Sequence, residues 1–150
     1  MKVQLLPSTI ETDGTAAKRQ HFSCIVIDDR VAVDAGSLAF ACSDTQRKQI
    51  RDVIISHVHL DHIAGLPPFI DDLYSTLVGP VRIHGTAGMI DALETHIFNW
   101  TIYPRFSELT NAHGKVLEYL TFTGGREFSC EHLSVTPIAV NHVPESMGFI

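Results

Sequence analysis

Six consecutive residues, His57 to His62, carry three imidazoles and one carboxylate in a pattern suited to metal ions. Imidazole nitrogen binds zinc, iron and manganese, and a carboxylate also offsets the charge of a cation. In extended backbone, side chains two residues apart point to the same side, so His57 and His59 can reach one ion together. Asp61 and His62 are adjacent and need a turn of the chain to converge. We expect this second pair to serve a second ion beside the first.

Isolated histidines have a simpler interpretation, as buried structural residues or as surface residues. We interpret four histidines in this way and do not expect them to bind metal: His21, His84, His96 and His113. The segment 57–62 differs because four residues of ligand type fall within six positions and directly follow an apolar run. That combination favours a metal site over chance.

The elements that must position this segment can be predicted from hydrophobic pattern and turn residues. We predict strands at 2–6, 22–27, 31–33, 53–56, 81–84, 116–122, 126–130 and 133–140, and helices at 43–50, 67–77 and 86–99. The pair Gly124 and Gly125 predicts a hairpin between two of the strands. Strands in hairpins that alternate with helices favour an α/β fold, with a mixed sheet and helices on one face.

Composition limits the possible functions. The chain has 150 residues, is 45% hydrophobic and 19% charged, and suits one globular domain. Its net charge of -6 argues against a nucleic acid polymer as a partner, since phosphate binding needs clustered basic residues. Cys24, Cys42 and Cys130 form no C-x-x-C pair, so we expect free thiols and a cytoplasmic location. Neither a signal peptide nor a membrane-spanning run is predicted, and no membrane partner is expected.

The motif Ser-His-Val-His-Leu-Asp-His at 56–62 resembles the metallo-β-lactamase-fold hydrolases. Leu60 before the aspartate, with Ile-Ala-Gly-Leu after the last histidine, looks most like the class II 3′,5′-cyclic-nucleotide phosphodiesterases. Further stretches agree with that family: 90–93, 96–100, 102–104, 140–144 and 148–150. The resemblance runs from about residue 21 to the end of the chain.

The resemblance implies an αββα sandwich with two divalent ions at its edge, expected to be zinc, with manganese or iron as alternatives. His142 ends the strand predicted at 133–140, as His57 ends the earlier one, and its position and the resemblance together imply a three-histidine ligand set with His57 and His59. Asp61 and His62 would bind the other ion, and Asp61 would be a catalytic residue. By resemblance, Asp34 would brace the 57–62 loop through hydrogen bonds; an ordinary turn-forming aspartate is the alternative.

The function implied is hydrolysis of a small 3′,5′-cyclic nucleotide to a nucleoside 5′-monophosphate by a hydroxide held between the ions. Other members of the superfamily, such as a tRNA 3′-end nuclease or a lactonase, are alternatives. A non-catalytic metal-binding domain of the same fold is a third possibility.

The family's complete site also contains a bridging aspartate and a final histidine that have no counterpart in 1–150. We therefore expect the chain to hold an incomplete metallo-β-lactamase-like domain that is inactive alone. One apolar sheet face would lie uncovered, which favours a homodimer or aggregation.

Overall fold

The computed structural model describes all 150 residues, and its largest element is a six-stranded mixed sheet. The strands are β1 (Val3–Leu5), β2 (Ile25–Ile27), β3 (Val31–Val33), β4 (Asp52–Ile54), β5 (Val81–Gly85), β6 (Thr110–Asn111), β7 (Gly114–Lys115), β8 (Leu117–Thr121), β9 (Phe128–Cys130), β10 (Leu133–Val135), β11 (Pro137–Val140) and β12 (Ser146–Phe149). The helices are α1 (Leu38–Ala41), α2 (Asp44–Gln49), α3 (Leu60–Ile63), α4 (Leu66–Leu73) and α5 (Ala87–His96), with a 3₁₀ turn at Phe106–Glu108.

The large sheet has the order β1-β2-β3-β4-β5-β8 and combines a hairpin with a parallel half. Strands β2 and β3 pair antiparallel around a turn in which Asp28 and Asp29 have positive φ, so the predicted hairpin is confirmed. Strands β3, β4, β5 and β8 run parallel to one another. Parallel neighbours need crossover connections, and these carry the helices. Three smaller two-stranded sheets pair β9 with β10, β11 with β12, and β6 with β7.

Two of the helices, α2 and α5, begin at capping residues. Ser43 caps helix α2 in a capping box. The side chains of Ser43 and Gln46 each accept a hydrogen bond from the other residue's backbone amide. At the start of α5, the Thr86 hydroxyl accepts a hydrogen bond from the Met89 amide. Helix α4 has proline in its first turn, as predicted, but it ends at Leu73 instead of 77. The other predicted bounds differ by only a few residues.

Both faces of the sheet are covered at its centre. Successive strand residues point to opposite faces, and all three residues of β4 are buried. On one face Ile54 lines an apolar cavity of about 230 Å³ together with Leu133, Val135 and Phe149. The opposite face carries Val53, which belongs to the same core cluster as the buried residues of α4. The expectation of an uncovered sheet face is therefore wrong for the central strands.

The hairpin predicted at Gly124 and Gly125 is wrong. Strand β8 pairs parallel with β5 in the large sheet, whereas β9 pairs with β10. The two glycines lie in the connection from one sheet to another, where the Gly125 amide donates to the Pro137 carbonyl at 2.7 Å. The strand predicted at 133–140 is also divided, because β10 pairs with β9 whereas β11 pairs with β12. Backbone hydrogen bonds exchanged by Thr136 and Ile150 extend the second pairing.

A buried polar cluster joins the large sheet to β9. Asp52 accepts a hydrogen bond from His84 Nε2 at 2.8 Å and is paired with the Arg82 guanidinium, which also donates to Glu131 at 2.9 Å. Cys130 Sγ lies 3.7 Å from His84 Nε2. Strand register explains the cluster, because Asp52 pairs with Arg82 and residues two apart share a face.

The three cysteines are free thiols: Cys24 and Cys130 are buried, and Cys42 is half-buried. None of the helices combines the length and the apolar character that crossing a membrane requires.

Candidate metal centre

The histidine-rich segment lies at the edge of the large sheet where the parallel strands end. It follows β4 directly, and Asp34 follows the neighbouring parallel strand β3. Carboxyl ends of parallel strands meet at one edge, so residues far apart in sequence come together there. The Asp34 amide donates to the Ile54 carbonyl at 2.8 Å, which extends the pairing of β3 and β4 up to the site.

Three imidazoles converge at this edge. His57 Nε2 lies 3.1 Å from His59 Nδ1, and His142 Nε2 lies 3.3 Å from the same His59 atom. The ligand atoms of His57, His59 and His142 are all within 4.8 Å of one another. His57 is buried, while His59 and His142 are exposed.

The donor set fits a transition metal ion. Nitrogen ligands bound at 2.0–2.1 Å around a tetrahedral zinc ion stand about 3.3 Å apart. The observed separations of 3.1 and 3.3 Å match that spacing. Imidazole rings that turn nitrogen atoms toward one point offer lone pairs to a cation when the rings are neutral. The residues predicted to form the three-histidine ligand set are brought together, and their role as ligands stays a prediction.

The second predicted pair lies beside the first cluster. Helix α3 begins directly after His59 and carries Asp61 and His62 in its single turn, so the two side chains converge despite being adjacent in sequence. His62 Nε2 is 3.5 Å from Asp61 Oδ2. The ring of His62 is centred 4.0 Å from the ring of His57. Asp61 and His62 are therefore placed to serve an ion next to the one predicted for the three histidines.

Asp34 makes the hydrogen bonds that the resemblance implied. Its Oδ1 accepts from the Ser56 amide at 2.8 Å, and its Oδ2 accepts from the Ser56 hydroxyl at 2.8 Å and from His62 Nδ1 at 2.6 Å. The carboxylate is buried, with 4% of the residue exposed, so these partners replace water. Asp34 has a φ of 59°, a conformation that aspartate adopts more readily than most residues.

The imidazoles of buried His57 and half-buried His62 have opposite pKa shifts. The hydrogen bond that His62 donates to Asp34 is the main cause that raises the pKa of His62. Burial lowers the pKa of His57, and the neighbouring His62 lowers it further. A lowered pKa keeps His57 neutral, which is the form that binds metal.

The backbone of the segment 34–36 fixes the loop that carries Asp61 and His62. The Ala35 amide donates to the His62 carbonyl at 2.7 Å. A Cβ on Gly36 would overlap the Asp61 carbonyl oxygen. Neither Gly36 nor Ser56 was predicted as a site residue. The sequence features that point to them are the Asp-x-Gly pattern at 34–36 and the hydroxyl residue directly before His57.

His142 reaches the site from a different sheet. It lies in the five-residue loop between β11 and β12, and the Met147 amide of β12 donates to the Ser56 carbonyl at 2.9 Å. That hydrogen bond ties the β11–β12 hairpin to the residue before His57. The hairpin thus brings His142 beside two histidines that precede it by more than eighty residues.

Comparison with known proteins agrees with this geometry. The family model described as cAMP phosphodiesterases class-II matches residues 23–146. A 3′,5′-cyclic-nucleotide phosphodiesterase of Schizosaccharomyces pombe is 29% identical over 124 residues, covering 81% of this chain and 33% of the relative. Ribonuclease BN of Erwinia tasmaniensis is 25% identical over 150 residues, covering 91% of this chain and 45% of the relative.

Solved structures show the same architecture. The metallo-β-lactamase fold protein YhfI of Bacillus subtilis has a TM-score of 0.62 at 18% identity, and the match covers 98% of this chain and 56% of that one. Unliganded yeast PDE1 has a TM-score of 0.64 at 15% identity, covering 98% and 59%. The chain spans less than half the length of the two curated relatives above. The family match covers most of the chain and the structural matches share its topology, so the chain belongs to the class-II cAMP phosphodiesterases and has the metallo-β-lactamase fold of metal-dependent hydrolases.

Proposed function

We propose that this chain provides the metal-binding part of a phosphodiesterase that opens a 3′,5′-cyclic nucleotide to a nucleoside 5′-monophosphate. The observation that carries the proposal is the convergence of ring nitrogens from His57, His59 and His142 at the carboxyl edge of the sheet. Membership of the class-II family supports the choice of a cyclic phosphate as the substrate.

His57, His59 and His142 would hold one ion, and Asp61 and His62 would hold the second. Divalent ions at such a site supply charge neutralisation for phosphoryl oxygens and a water acidic enough to act as a nucleophile near neutral pH. We propose zinc, because the donors of the first site are all imidazoles; manganese and iron are the alternatives.

The residues of the chain have distinct tasks in this proposal. Asp61 adds a negative charge that offsets the second cation, so the pair of ions can approach without full repulsion. Asp34 accepts the Nδ1 proton of His62 and thereby leaves Nε2 free to face the site. His57, the buried member of the cluster, holds its ion on the protein side of the site, and the exposed His59 and His142 leave the other side open to substrate.

A ribonuclease is the second candidate function. It is favoured by the match to ribonuclease BN, which extends over 91% of this chain. It is disfavoured by the net charge of -6, with only 11 Lys and Arg against 17 Asp and Glu. A lactonase and a non-catalytic metal-binding domain stay open as further alternatives.

The test measures bound metal and hydrolysis together. The chain alone, and the chain fused to the C-terminal part of the S. pombe relative, are loaded with zinc and assayed with cyclic AMP, cyclic GMP, a precursor tRNA and a lactone. We expect turnover of a cyclic nucleotide in at least one form. His59→Ala should abolish that turnover and lower zinc content sharply, whereas Asp61→Asn should lose one ion and keep the other.

The matched control is His113→Ala, which removes an exposed imidazole from a turn outside the cluster. Its zinc content and turnover should equal those of the parent protein. Two bound ions without hydrolysis of any cyclic nucleotide would contradict the proposed substrate. Faster cleavage of the tRNA would favour the ribonuclease, and equal zinc content in His59→Ala would contradict the site itself.

A further inference from the structure

The Ser56 hydroxyl lies between Asp34 and His57. Its Oγ is 2.8 Å from Asp34 Oδ2 and 3.1 Å from His57 Nδ1. The backbone of Ser56 is fixed independently of this hydroxyl. Its amide donates to Asp34 Oδ1 at 2.8 Å, and its carbonyl accepts from the Met147 amide at 2.9 Å.

Counting protons assigns a direction to each contact. An ionised carboxylate only accepts hydrogen bonds, and a serine hydroxyl has a single proton to donate. That proton goes to Asp34 Oδ2, so only the lone pairs of Ser56 Oγ face His57. The ring must therefore carry its proton on Nδ1 and donate it to the hydroxyl. This leaves the Nε2 lone pair of His57 pointing at His59 Nδ1, 3.1 Å away.

We propose that Ser56 is a positioning residue that selects the tautomer of His57. Its hydroxyl relays the negative charge of Asp34 to His57 Nδ1, so that Nε2 presents its lone pair to the metal cluster. This role deepens the proposed function and rests on it only where a metal is concerned. The tautomer itself is a property of the metal-free protein.

The same carboxylate acts directly on His62. Asp34 Oδ2 lies 2.6 Å from His62 Nδ1, while Ser56 Oγ is farther from that nitrogen, at 3.4 Å. One buried aspartate thus orients two imidazoles, one directly and one through serine. Because these two imidazoles belong to different predicted ion sites, Asp34 and Ser56 together prepare both sites for metal.

Ser56→Ala isolates the hydroxyl, because it keeps both backbone hydrogen bonds and adds no volume. His57 Nδ1 then loses its acceptor. Ser56→Thr keeps a hydroxyl and should restore the interaction. Ser129→Ala is the matched control, since this exposed serine of β9 lies outside the site.

The experiment records long-range proton–nitrogen NMR correlations of the metal-free full chain with ¹⁵N-labelled histidine, at about pH 8, where imidazole is neutral. We expect His57 to be protonated at Nδ1 in the parent, in Ser56→Thr and in Ser129→Ala, and to lose that preference in Ser56→Ala. Zinc titration of the same samples should show affinity about 10- to 100-fold weaker for Ser56→Ala only.

The tautomer of His57 decides the proposal. Protonation at Nε2 in the parent, or an unchanged Nδ1 tautomer in Ser56→Ala, would overturn it. Failure of the proposed function looks different, because the parent would then bind no zinc, or its fusion to the C-terminal part of the S. pombe relative would not hydrolyse a cyclic nucleotide, while the tautomer difference persisted.

Discussion

At the scale of single residues, the site depends on positions that do not bind metal. The five predicted ligands could be proposed from residue type, spacing and, for His142, the family resemblance, and the structure places them in two adjacent groups. Ser56 and Gly36 could not be assigned a role from sequence. Their partners, Asp34 and Asp61, lie more than twenty residues away, and only the pairing of β3 with β4 brings them into contact.

Gly36→Ala tests the close approach of two backbone segments. The new Cβ would overlap the Asp61 carbonyl oxygen, so the loop carrying Asp61 and His62 must move. We expect a loss of about 2 kcal/mol in the free energy of unfolding, a magnitude typical of overpacking, with weaker binding of the second zinc ion. Urea denaturation and zinc titration measure the two effects.

Gly148→Ala is the control for that substitution. A Cβ at Gly148 meets its nearest atom, in Val140, at an ordinary 3.5 Å. This variant should lose less than about 1 kcal/mol and bind zinc normally. If Gly36→Ala were as stable as Gly148→Ala and bound two ions, the packing of Gly36 against Asp61 would not matter for the site.

At the scale of elements, the predicted strands and helices were largely correct, but only one of the two predicted strand pairings, that of β2 with β3, was. The wrong prediction was the hairpin at Gly124 and Gly125, where turn residues signalled a reversal but not which sheet the chain would enter. The partner of β8 is β5, which lies more than thirty residues earlier in the sequence. Local turn chemistry carries no information on such a non-local choice.

The pairing of Asp52 with β5 predicts a pH-dependent stability. Burial raises the pKa of Asp52, but hydrogen bonds from His84 and Arg82 outweigh it and hold the pKa well below its ordinary value. A carboxyl with a lowered pKa in the folded state stabilises the fold above its unfolded pKa of about 3.9. That contribution is lost as the pH falls below this value toward the pKa of the folded state.

Asp52→Asn should therefore destabilise the fold by about 2 kcal/mol near pH 6, because it leaves the Arg82 guanidinium without its buried charge partner. The difference between variant and parent should shrink at about pH 3, because protonation of Asp52 in the unfolded chain then offsets part of what the ion pair contributes to the parent. Denaturant unfolding at both pH values measures this difference in stability. Asp71→Asn, which changes an exposed aspartate, is the control. A difference that grows on acidification would contradict the pKa assignment.

At the scale of the whole molecule, the fold class followed from the alternation of strands and helices together with the motif at 56–62. The cover over the central sheet did not follow, because the strands predicted at 126–130 and 133–140 did not reveal the β9–β10 and β11–β12 hairpins. A homodimer stays a prediction. Apolar side chains stay exposed in β1, at Val3 and Leu5, and in β11, at Ile138 and Val140, and sedimentation velocity would measure the association.

The reactivity of the three free thiols can report local opening of the structure. Cys42 is half-buried, whereas Cys24 beside β2 and Cys130 in β9 are 0% and 1% exposed. Burial raises the pKa of all three thiols, that of Cys130 to about 12, so the buried two react only when their surroundings open. A disulfide reagent should label Cys42 in a fast phase and the others in slow phases.

The slow phases would report on different layers. Cys24 becomes reactive when the edge of the large sheet separates, and Cys130 when the β9–β10 hairpin lifts away from His84. Equal labelling rates for Cys24 and Cys130 would mean that the two layers open as one unit. Faster labelling of Cys130 would mean that the β9–β10 hairpin opens without the large sheet. Equal rates for all three thiols would contradict the burial. Because Cys24 lies beside β2 of the large sheet and Cys130 lies in the β9–β10 hairpin, their labelling rates time the opening of each sheet separately, without an introduced probe.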